Sequence, residues 1–329
     1  MDNKDWYIDL FSAVGAELER FAGNIVCDQV IERAIDGNPW FSERDIITAA
    51  RALSGSMLDR GILEEWLSDY HIGYDRPEDV AVIMAGNIPF AGFFDMMCVV
   101  LSGNRCYAKT SSKDNVLMDY SIGLVNKLAG EEMVLPFDDC GKYRAVIASG
   151  SDNSNRYFRA RFAGIPSLLR DSRYSVAVLT GDETDEEIAS LDNDIFLYNG
   201  LGCRNVSLLF VPADYDIGGL AGRLGGVNPN VGYINNYRQS RAMAVMAGED
   251  YTDGNGFIMK EAAEFPHALS IINFTYYSSD EEIKNWIGDN ERSIQCVVSR
   301  DGDYLCGVPF RAAQPPLPGY YLVGLDVLG

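Results

Sequence analysis

Histidine is scarce in this sequence, with His71 and His267 the only two among 329 residues. The seven cysteines are an odd number, and no two of them form a Cys-x-x-Cys pair. Structural zinc sites and disulfide frameworks need clustered ligands or paired cysteines, so we expect neither, and no metal site of any kind. Each cysteine is by default a small buried apolar side chain, and a special one must be argued individually.

Basic residues are also in deficit, with 27 Lys and Arg against 48 Asp and Glu and a net charge of −21. Binding to nucleic acid or to an anionic membrane surface requires surplus positive charge, so both are excluded as main roles. Residues 101–175 depart from this balance, with 11 basic against 8 acidic side chains. That stretch could receive a small phosphorylated ligand, although chance clustering explains it equally well.

Long apolar runs are absent too. The most apolar stretch, 88–101, contains Asp95 and is too short to span a membrane. The first residues, Met-Asp-Asn-Lys-Asp, lack the basic and apolar regions of a secretion signal, so we expect a cytoplasmic protein. The 47% of hydrophobic residues are enough to bury a large core, which excludes disorder as the main state.

Helical spacing of apolar residues marks the first seventy residues. Residues 5–21 place Trp6, Leu10, Val14 and Leu18 on one face, and Ser42 begins a second helix signature. Short continuous apolar runs then alternate with helical stretches, at 80–85, 105–109, 144–148 and 175–179. Such alternation predicts an α/β domain with a parallel sheet, preceded by a helical N-terminal cap.

The alternation continues beyond residue 180, where we predict a second α/β unit. Its strands are predicted at 206–211, 268–274 and 294–298, with helices at 186–198, 216–224, 237–246 and 280–287. We therefore predict a cap and first domain over 1–178, a second domain over 179–305, and a Pro- and Gly-rich segment over 306–329 that crosses between the domains. A Gly-x-x-Gly-x-x-Gly run at 219–225 has the wrong spacing for a dinucleotide fingerprint and falls inside a predicted helix.

Two loops that follow predicted strands carry polar groups suited to ligands. Gly86-Asn87-Ile88-Pro89 offers a side-chain amide that suits an oxyanion, unless Asn87 merely bonds its own turn. Lys109-Thr110-Ser111-Ser112-Lys113 offers an ammonium group and hydroxyls that can hold a ribose or a phosphate. The alternative for this second loop is a helix cap beside a solvated lysine.

Two further loops complete the set. Ser149-Gly150-Ser151 is a small strand-to-helix turn of the kind that binds phosphate, although serine caps are common. Cys203 stands between glycines and Arg204, which would favour the nucleophilic thiolate. No histidine lies nearby in the sequence, so a cysteine–histidine protease is disfavoured.

In order, these loops resemble the aldehyde dehydrogenase superfamily, and more closely its fatty acyl-CoA reductase (LuxC-type) branch. The resemblance is carried by AGNIPFAGFFDMMCVVLSGNRCYAKTSSKD at 85–114, IASGSDNSNRYF at 147–158, DSRYSVAVLTGDET at 171–184, LGCRNVSLLFVP at 201–212 and VPFRAAQ at 308–314. It implies an aldehyde dehydrogenase-like fold, with a nucleotide-binding domain and a catalytic domain.

The resemblance also implies roles for single residues. Cys203 would be the acylated nucleophile, and Asn87 and the Cys203 backbone N–H would hold the oxyanion. Lys109 and Ser112, with Ser111 in the same loop, would face the cofactor ribose. Ser151, with Gly150 beside it, would lie near the pyrophosphate. The implied cofactor is NADPH, with NADH the alternative, and the implied substrate is a coenzyme A thioester.

The sequence departs from the hydrolytic aldehyde dehydrogenases at one informative place. Residues 171–174 are Asp-Ser-Arg-Tyr, where those enzymes carry a water-activating glutamate. Without that base an acyl-enzyme should persist, which favours NAD(P)H-dependent reduction of an acyl-CoA to an aldehyde, although Asp171 could replace it. The segment at 308–314 resembles the one that returns toward the cofactor domain in this superfamily. Arg311 stands where that segment is expected to have a glycine, so its contact with the cofactor domain is not implied here.

Other functions stay open at this stage. They are cysteine-based acyl transfer without a nicotinamide, a non-catalytic scaffold with the same fold, and ordinary aldehyde oxidation. A homo-oligomer, or a partner enzyme that supplies the acyl group, is compatible with each of the catalytic alternatives.

Overall fold

A computed structural model of the chain describes residues 4–21, 25–70, 72, 77–225, 230–305 and 307–309. These residues form two compact units, one ending at Ser172 and the other beginning at Arg173. In the described part of the chain, no helix is both long and apolar enough to cross a membrane. Arg311 and most of the predicted crossing segment lie outside the described residues.

The first unit begins with the predicted helical cap. Its helices are α1 (Lys4–Glu19), α2 (Ile25–Gly37), α3 (Glu43–Ser56) and α4 (Arg60–Leu67). Leu10, Val14 and Leu18 are buried, as the spacing predicts, whereas Trp6 stays 40% exposed at the rim. The Asp45 N–H donates to the Ser42 hydroxyl, which confirms Ser42 as the cap of α3.

A parallel five-stranded sheet follows in the same unit. Its elements are β1 (Asp79–Ile83), α5 (Phe93–Leu101), β2 (Arg105–Lys109), α6 (Asn115–Ala129), β3 (Val134–Pro136), β4 (Ala145–Ser149), α7 (Asp152–Arg161) and β5 (Ser167–Arg170). The strand order is β3-β2-β1-β4-β5, so the chain reverses its direction of travel across the sheet between β1 and β4. Ligands of parallel sheets bind at the carboxyl edge beside such a reversal.

The second unit contains a seven-stranded sheet. Its elements are β6 (Tyr174–Val178), α8 (Asp185–Phe196), β7 (Val206–Pro212), α9 (Ile217–Arg223), α10 (Val231–Ala247), β8 (Thr252–Asp253), β9 (Ile258–Glu261), β10 (Ile271–Tyr277), α11 (Asp280–Asn290), β11 (Ile294–Ser299) and β12 (Gly307–Pro309). The order is β12-β11-β6-β7-β10-β9-β8, and the described pairs are parallel except β8 with β9. Helix α11 packs Ile283 and Ile287 against this sheet.

The boundary between the units lies earlier than the predicted boundary at 178. Strand β6 pairs with β7 and β11, so it belongs to the second sheet and not to the first. The apolar run of β6 is that of any buried parallel strand, and it carries no information about which sheet the strand joins. The sequence pattern does not predict the short strands β3, β5, β8, β9 and β12, because none of them has a long continuous apolar run.

Candidate functional site

The three predicted loops of the first unit meet at one edge of its sheet. Ile83, Lys109 and Ala148 lie level with one another in neighbouring strands, so the residues that follow them leave the sheet together. Gly86 packs directly on the second loop, where an added Cβ would lie 2.6 Å from the Ser111 Cβ. The structure therefore brings the Asn87 loop and the lysine loop into contact.

Asn87 itself is exposed on the first loop. The loop is anchored just beyond it by Phe90, which is 3% exposed and adopts a left-handed backbone with φ of 59°. Asp114 is buried against the same side of Gly86 as Ser111, and burial raises the pKa of its carboxyl well above the usual value. Asn87 is thus a polar side chain presented by a well-supported backbone.

We expect Gly86→Ala to destabilise the first unit by about 1–3 kcal/mol, since the new methyl group must displace Ser111. Thermal unfolding of the variant and of wild type measures this effect. Gly123→Ala is the matched control. It has nothing within 4 Å in helix α6, so alanine should stabilise the helix by up to about 1 kcal/mol. Equal stability of Gly86→Ala and wild type would contradict the packing described here.

Lys109 lies within a cluster that the sequence does not reveal. Its ammonium is 5.3 Å from the centre of the Phe137 ring, and the guanidinium of Arg161 is 5.9 Å from the same ring. Both cations approach one oxygen of Asp139, at 3.9 Å from Lys109 and 2.7 Å from Arg161. Lys109 and Arg161 thus lie together near the end of β2, joined through Asp139. Ser112 is exposed in the same loop, and Ser111 is partly buried.

The third loop is the N-terminus of α7. Ser151 caps this helix by accepting from the Ser154 N–H, so the capping alternative is correct. Capping does not exclude phosphate binding, because one serine satisfies only some of the N–H groups at a helix start. Gly150 packs closely on Ser154, where an added Cβ would lie 2.9 Å from the serine Cβ.

A partly buried ion pair supports the end of β4, which leads into this turn. Arg170 at the end of β5 donates to Asp95 of α5 at 2.8 Å, and Ser149 donates to the same carboxylate at 3.4 Å. Asp95 is 7% exposed in an otherwise apolar helix. In the sequence it only interrupts an apolar run, and its partner lies seventy-five positions away. The pair ties α5 to the ends of β4 and β5.

Asp171 is already engaged by its own unit. The buried amide of Asn155 donates to it at 2.8 Å, and Arg159 lies 3.2 Å from its other oxygen. Asn155 also donates to the Arg170 carbonyl at 2.9 Å. Both oxygens of Asp171 therefore already have partners within the first unit.

Cys203 lies in the second unit, whereas Asn87 lies in the first. The cysteine precedes β7, at the amino edge of its sheet, unlike the other three loops. It occupies the second position of a turn that is closed by the Asn205 N–H donating to the Gly202 carbonyl at 3.0 Å. Cys203 is an exposed residue, while Cys98, Cys106 and Cys296 are buried. Cys98 and Cys106 are thus core residues, as expected.

The segment before this turn has an unusual backbone. Tyr198, Asn199 and Gly200 are consecutive residues in the left-handed region, with φ of 55°, 57° and 71°. A left-handed tyrosine is strained, and such strain persists only where the surrounding structure imposes it. The cysteine turn is therefore presented by a defined backbone and not by a loose loop.

Among the residues that the structure describes, no group of three or more His, Cys, Asp or Glu side chains could hold a metal ion. The dinucleotide-like glycine run lies largely in helix α9, as predicted.

No protein-family model matches the chain, and no curated protein matches it. Solved structures do resemble it. An oxidoreductase from Marinobacter aquaeolei has a TM-score of 0.66 and 13% identity, covering 90% of this chain and 72% of its own. An aldehyde dehydrogenase from Bacillus cereus, solved with NAD+, has a TM-score of 0.62 and 14% identity, covering 91% and 72%.

A propionaldehyde dehydrogenase from Clostridium phytofermentans has a TM-score of 0.58 and 10% identity, covering 90% of this chain and 78% of its own. The predicted aldehyde dehydrogenase-like α/β fold is therefore confirmed. At these identities the likeness is one of fold.

Proposed function

We propose that this protein reduces an acyl-CoA thioester to an aldehyde with NAD(P)H, through an acyl-enzyme on Cys203. The observation that carries the proposal is the exposed residue Cys203, held on a defined turn in the second unit of an aldehyde dehydrogenase-like fold. The thiolate is the nucleophilic form of cysteine, and covalent catalysis by it divides one difficult step into two easier ones.

The residues of the first unit fit a nicotinamide dinucleotide. The N-terminus of α7 at Ser151 suits the pyrophosphate, and Gly150 lets the turn before this helix pack closely on Ser154. Lys109, Ser111 and Ser112 supply donors for a ribose. Arg161 beside Lys109 adds a second cation, which favours NADPH over NADH because a 2′-phosphate brings extra negative charge.

In the first stage, the Cys203 thiolate attacks the thioester carbonyl. A carbon–sulfur bond forms, the amide of Asn87 and the Cys203 N–H stabilise the oxyanion, and coenzyme A leaves as its thiolate. A reduced nicotinamide held by Lys109, Ser111, Ser112 and Ser151 would supply the hydride that brings the acyl group to the aldehyde level. The thiohemiacetal on Cys203 then collapses, which releases the aldehyde and regenerates the Cys203 thiolate.

Reduction is favoured over hydrolysis by the environment of Asp171. Residues 171–174 contain no glutamate, and Asp171 is held by Asn155 and Arg159. A carboxylate whose two oxygens already accept from Asn155 and Arg159 has fewer lone pairs left to orient a water, so the acyl-enzyme has time to be reduced. The proposal places no requirement on acyl chain length or on oligomeric state.

The test is to mix the purified protein with a panel of acyl-CoA esters and NADPH, following NADPH consumption and free coenzyme A together. We expect both signals to change in equal amounts. Release of coenzyme A alone would instead indicate acyl transfer, and aldehyde oxidation without coenzyme A would indicate an ordinary aldehyde dehydrogenase. If neither nucleotide consumption, coenzyme A release nor aldehyde oxidation is detected, with NADH tried as well as NADPH, the protein is a scaffold without activity.

A further inference from the structure

The turn that carries Cys203 is tied to the preceding helix by one buried side chain. Asn205 is 5% exposed, and its Oδ1 accepts from the Gly202 N–H at 2.8 Å. Its Nδ2 donates to the carbonyls of Asp194 at 3.0 Å, Ile195 at 3.3 Å and Leu197 at 3.0 Å. These carbonyls stand at the C-terminus of α8, where the helix itself supplies no donors.

A second buried group holds the turn from the β6 side. The Ser175 hydroxyl, which is fully buried, donates to the Cys203 carbonyl at 3.0 Å and lies 3.0 Å from the Cys296 sulfur. A hydroxyl has one hydrogen, so the Cys296 thiol must donate to Ser175. Burial raises the pKa of Cys296 to about 11, which keeps that thiol protonated at neutral pH.

Together these bonds fix three successive peptide groups. The Gly202 N–H is held by the Asn205 side chain, the Gly202 carbonyl by the Asn205 N–H, and the Cys203 carbonyl by Ser175. Because a trans peptide sets its N–H opposite its carbonyl, the Cys203 N–H points away from the interior of the turn. That is the direction in which a backbone donor can meet an oxyanion formed at the thiol.

We propose that Asn205 is a positioning residue for the chemistry at Cys203, with Ser175 holding the opposite side of the same turn. The inference rests on the proposed role of Cys203 as the acylated nucleophile. Asn205 touches neither substrate nor thiol in this role. It sets the backbone from which the thiol and its N–H project, and an error of about 1 Å in such a geometry can cost a hundredfold in rate.

Asn205→Ala tests the proposal directly. We expect kcat for acyl-CoA reduction to fall about ten- to a hundredfold, with the KM for NADPH unchanged. Asn205→Asp keeps the shape and the acceptor for Gly202 but turns an oxygen toward three carbonyls. It should be as slow as Asn205→Ala at neutral pH and recover partly as the pH falls, because a protonated carboxyl regains one donor.

Asn273→Ala is the matched control for stability. Asn273 is also 5% exposed in the second unit, and its amide donates to the Glu264 carbonyl at 2.8 Å. We expect kcat to be unchanged in Asn273→Ala, whatever the drop in its melting temperature. If Asn273→Ala loses as much activity as Asn205→Ala, the effect is general destabilisation and the proposal is overturned.

Alkylation separates this proposal from the proposed function. Iodoacetamide labelling, read by peptide mass spectrometry, gives the rate at Cys203 relative to Cys140, an exposed cysteine of the first unit. The ratio should fall several-fold in Asn205→Ala, and an unchanged ratio would overturn the positioning role. A wild-type protein that never consumes acyl-CoA would overturn the function, while the labelling ratio still decides the role of Asn205.

Discussion

Cys203→Ser should abolish acyl-CoA reduction, with kcat falling by about four decades or more. The serine hydroxyl keeps the shape of the side chain, but it is a far weaker nucleophile unless a base activates it. The two histidines lie far from residue 203 in the sequence. Intact-protein mass spectrometry after mixing with an acyl-CoA should show an acyl adduct on wild type and none on Cys203→Ser.

Cys140→Ser is the control for this result. Cys140 is also exposed, but it lies in the first unit on the loop between β3 and β4. Its replacement should leave both the adduct and NADPH consumption unchanged. NADPH binding by Cys203→Ser should equal that of wild type, which shows that the cofactor residues still fold. An acyl adduct that survives Cys203→Ser would place the nucleophile elsewhere.

Much of the fold follows from local patterns in the sequence. The buried strands β1, β4 and β7 are continuous apolar runs, and the loops after β1, β2 and β4 carry small and polar residues. Parallel pairing brings strand ends to one edge of the sheet, and the contact of Gly86 with Ser111 joins two of these loops there.

Local sequence patterns could not predict the position of the boundary between the units. Strand β6 has the composition of a strand in either sheet, and its hydrogen bonds to β7 and β11 assign it to the second. The sheet that a strand joins is decided by pairing partners distant in sequence, and the residues of β6 do not indicate which strands it pairs with. Short edge strands such as β5 are also hard to predict from local pattern. They are only half-buried, so they have no continuous apolar run.

The supporting side chains of the site were missed for another physical reason. Asp95 and Arg170, or Ser175 and Cys203, act through contacts between segments far apart in the chain. Arg161 joins Lys109 only because both reach Asp139. The sequence does contain a signal for Asn205. It is a polar residue directly before a buried strand and two positions after the candidate nucleophile, and a polar side chain buried there needs hydrogen-bond partners.

Asn87→Ala should lower kcat for acyl-CoA reduction by two to three decades, because loss of one oxyanion donor typically costs about 2.7–4 kcal/mol. The interaction exists only once the carbonyl oxygen gains charge. The KM for acyl-CoA should therefore stay nearly constant, while kcat and kcat/KM fall together. Asn87→Asp should be at least as slow, since its carboxylate cannot donate and would repel the oxyanion. Steady-state kinetics with varied acyl-CoA measure both effects.

Alkylation of Cys203 is the discriminating control for Asn87. Iodoacetamide reacts by displacement at a saturated carbon, so no oxyanion forms and Asn87→Ala should label at the wild-type rate. Asn115→Ala, at another exposed asparagine of the first unit, should leave both reactions unchanged. If Asn87→Ala slows alkylation as much as acyl transfer, Asn87 acts on the thiol itself. If it slows neither, the oxyanion must be held by other donors, and the assignment of Asn87 fails.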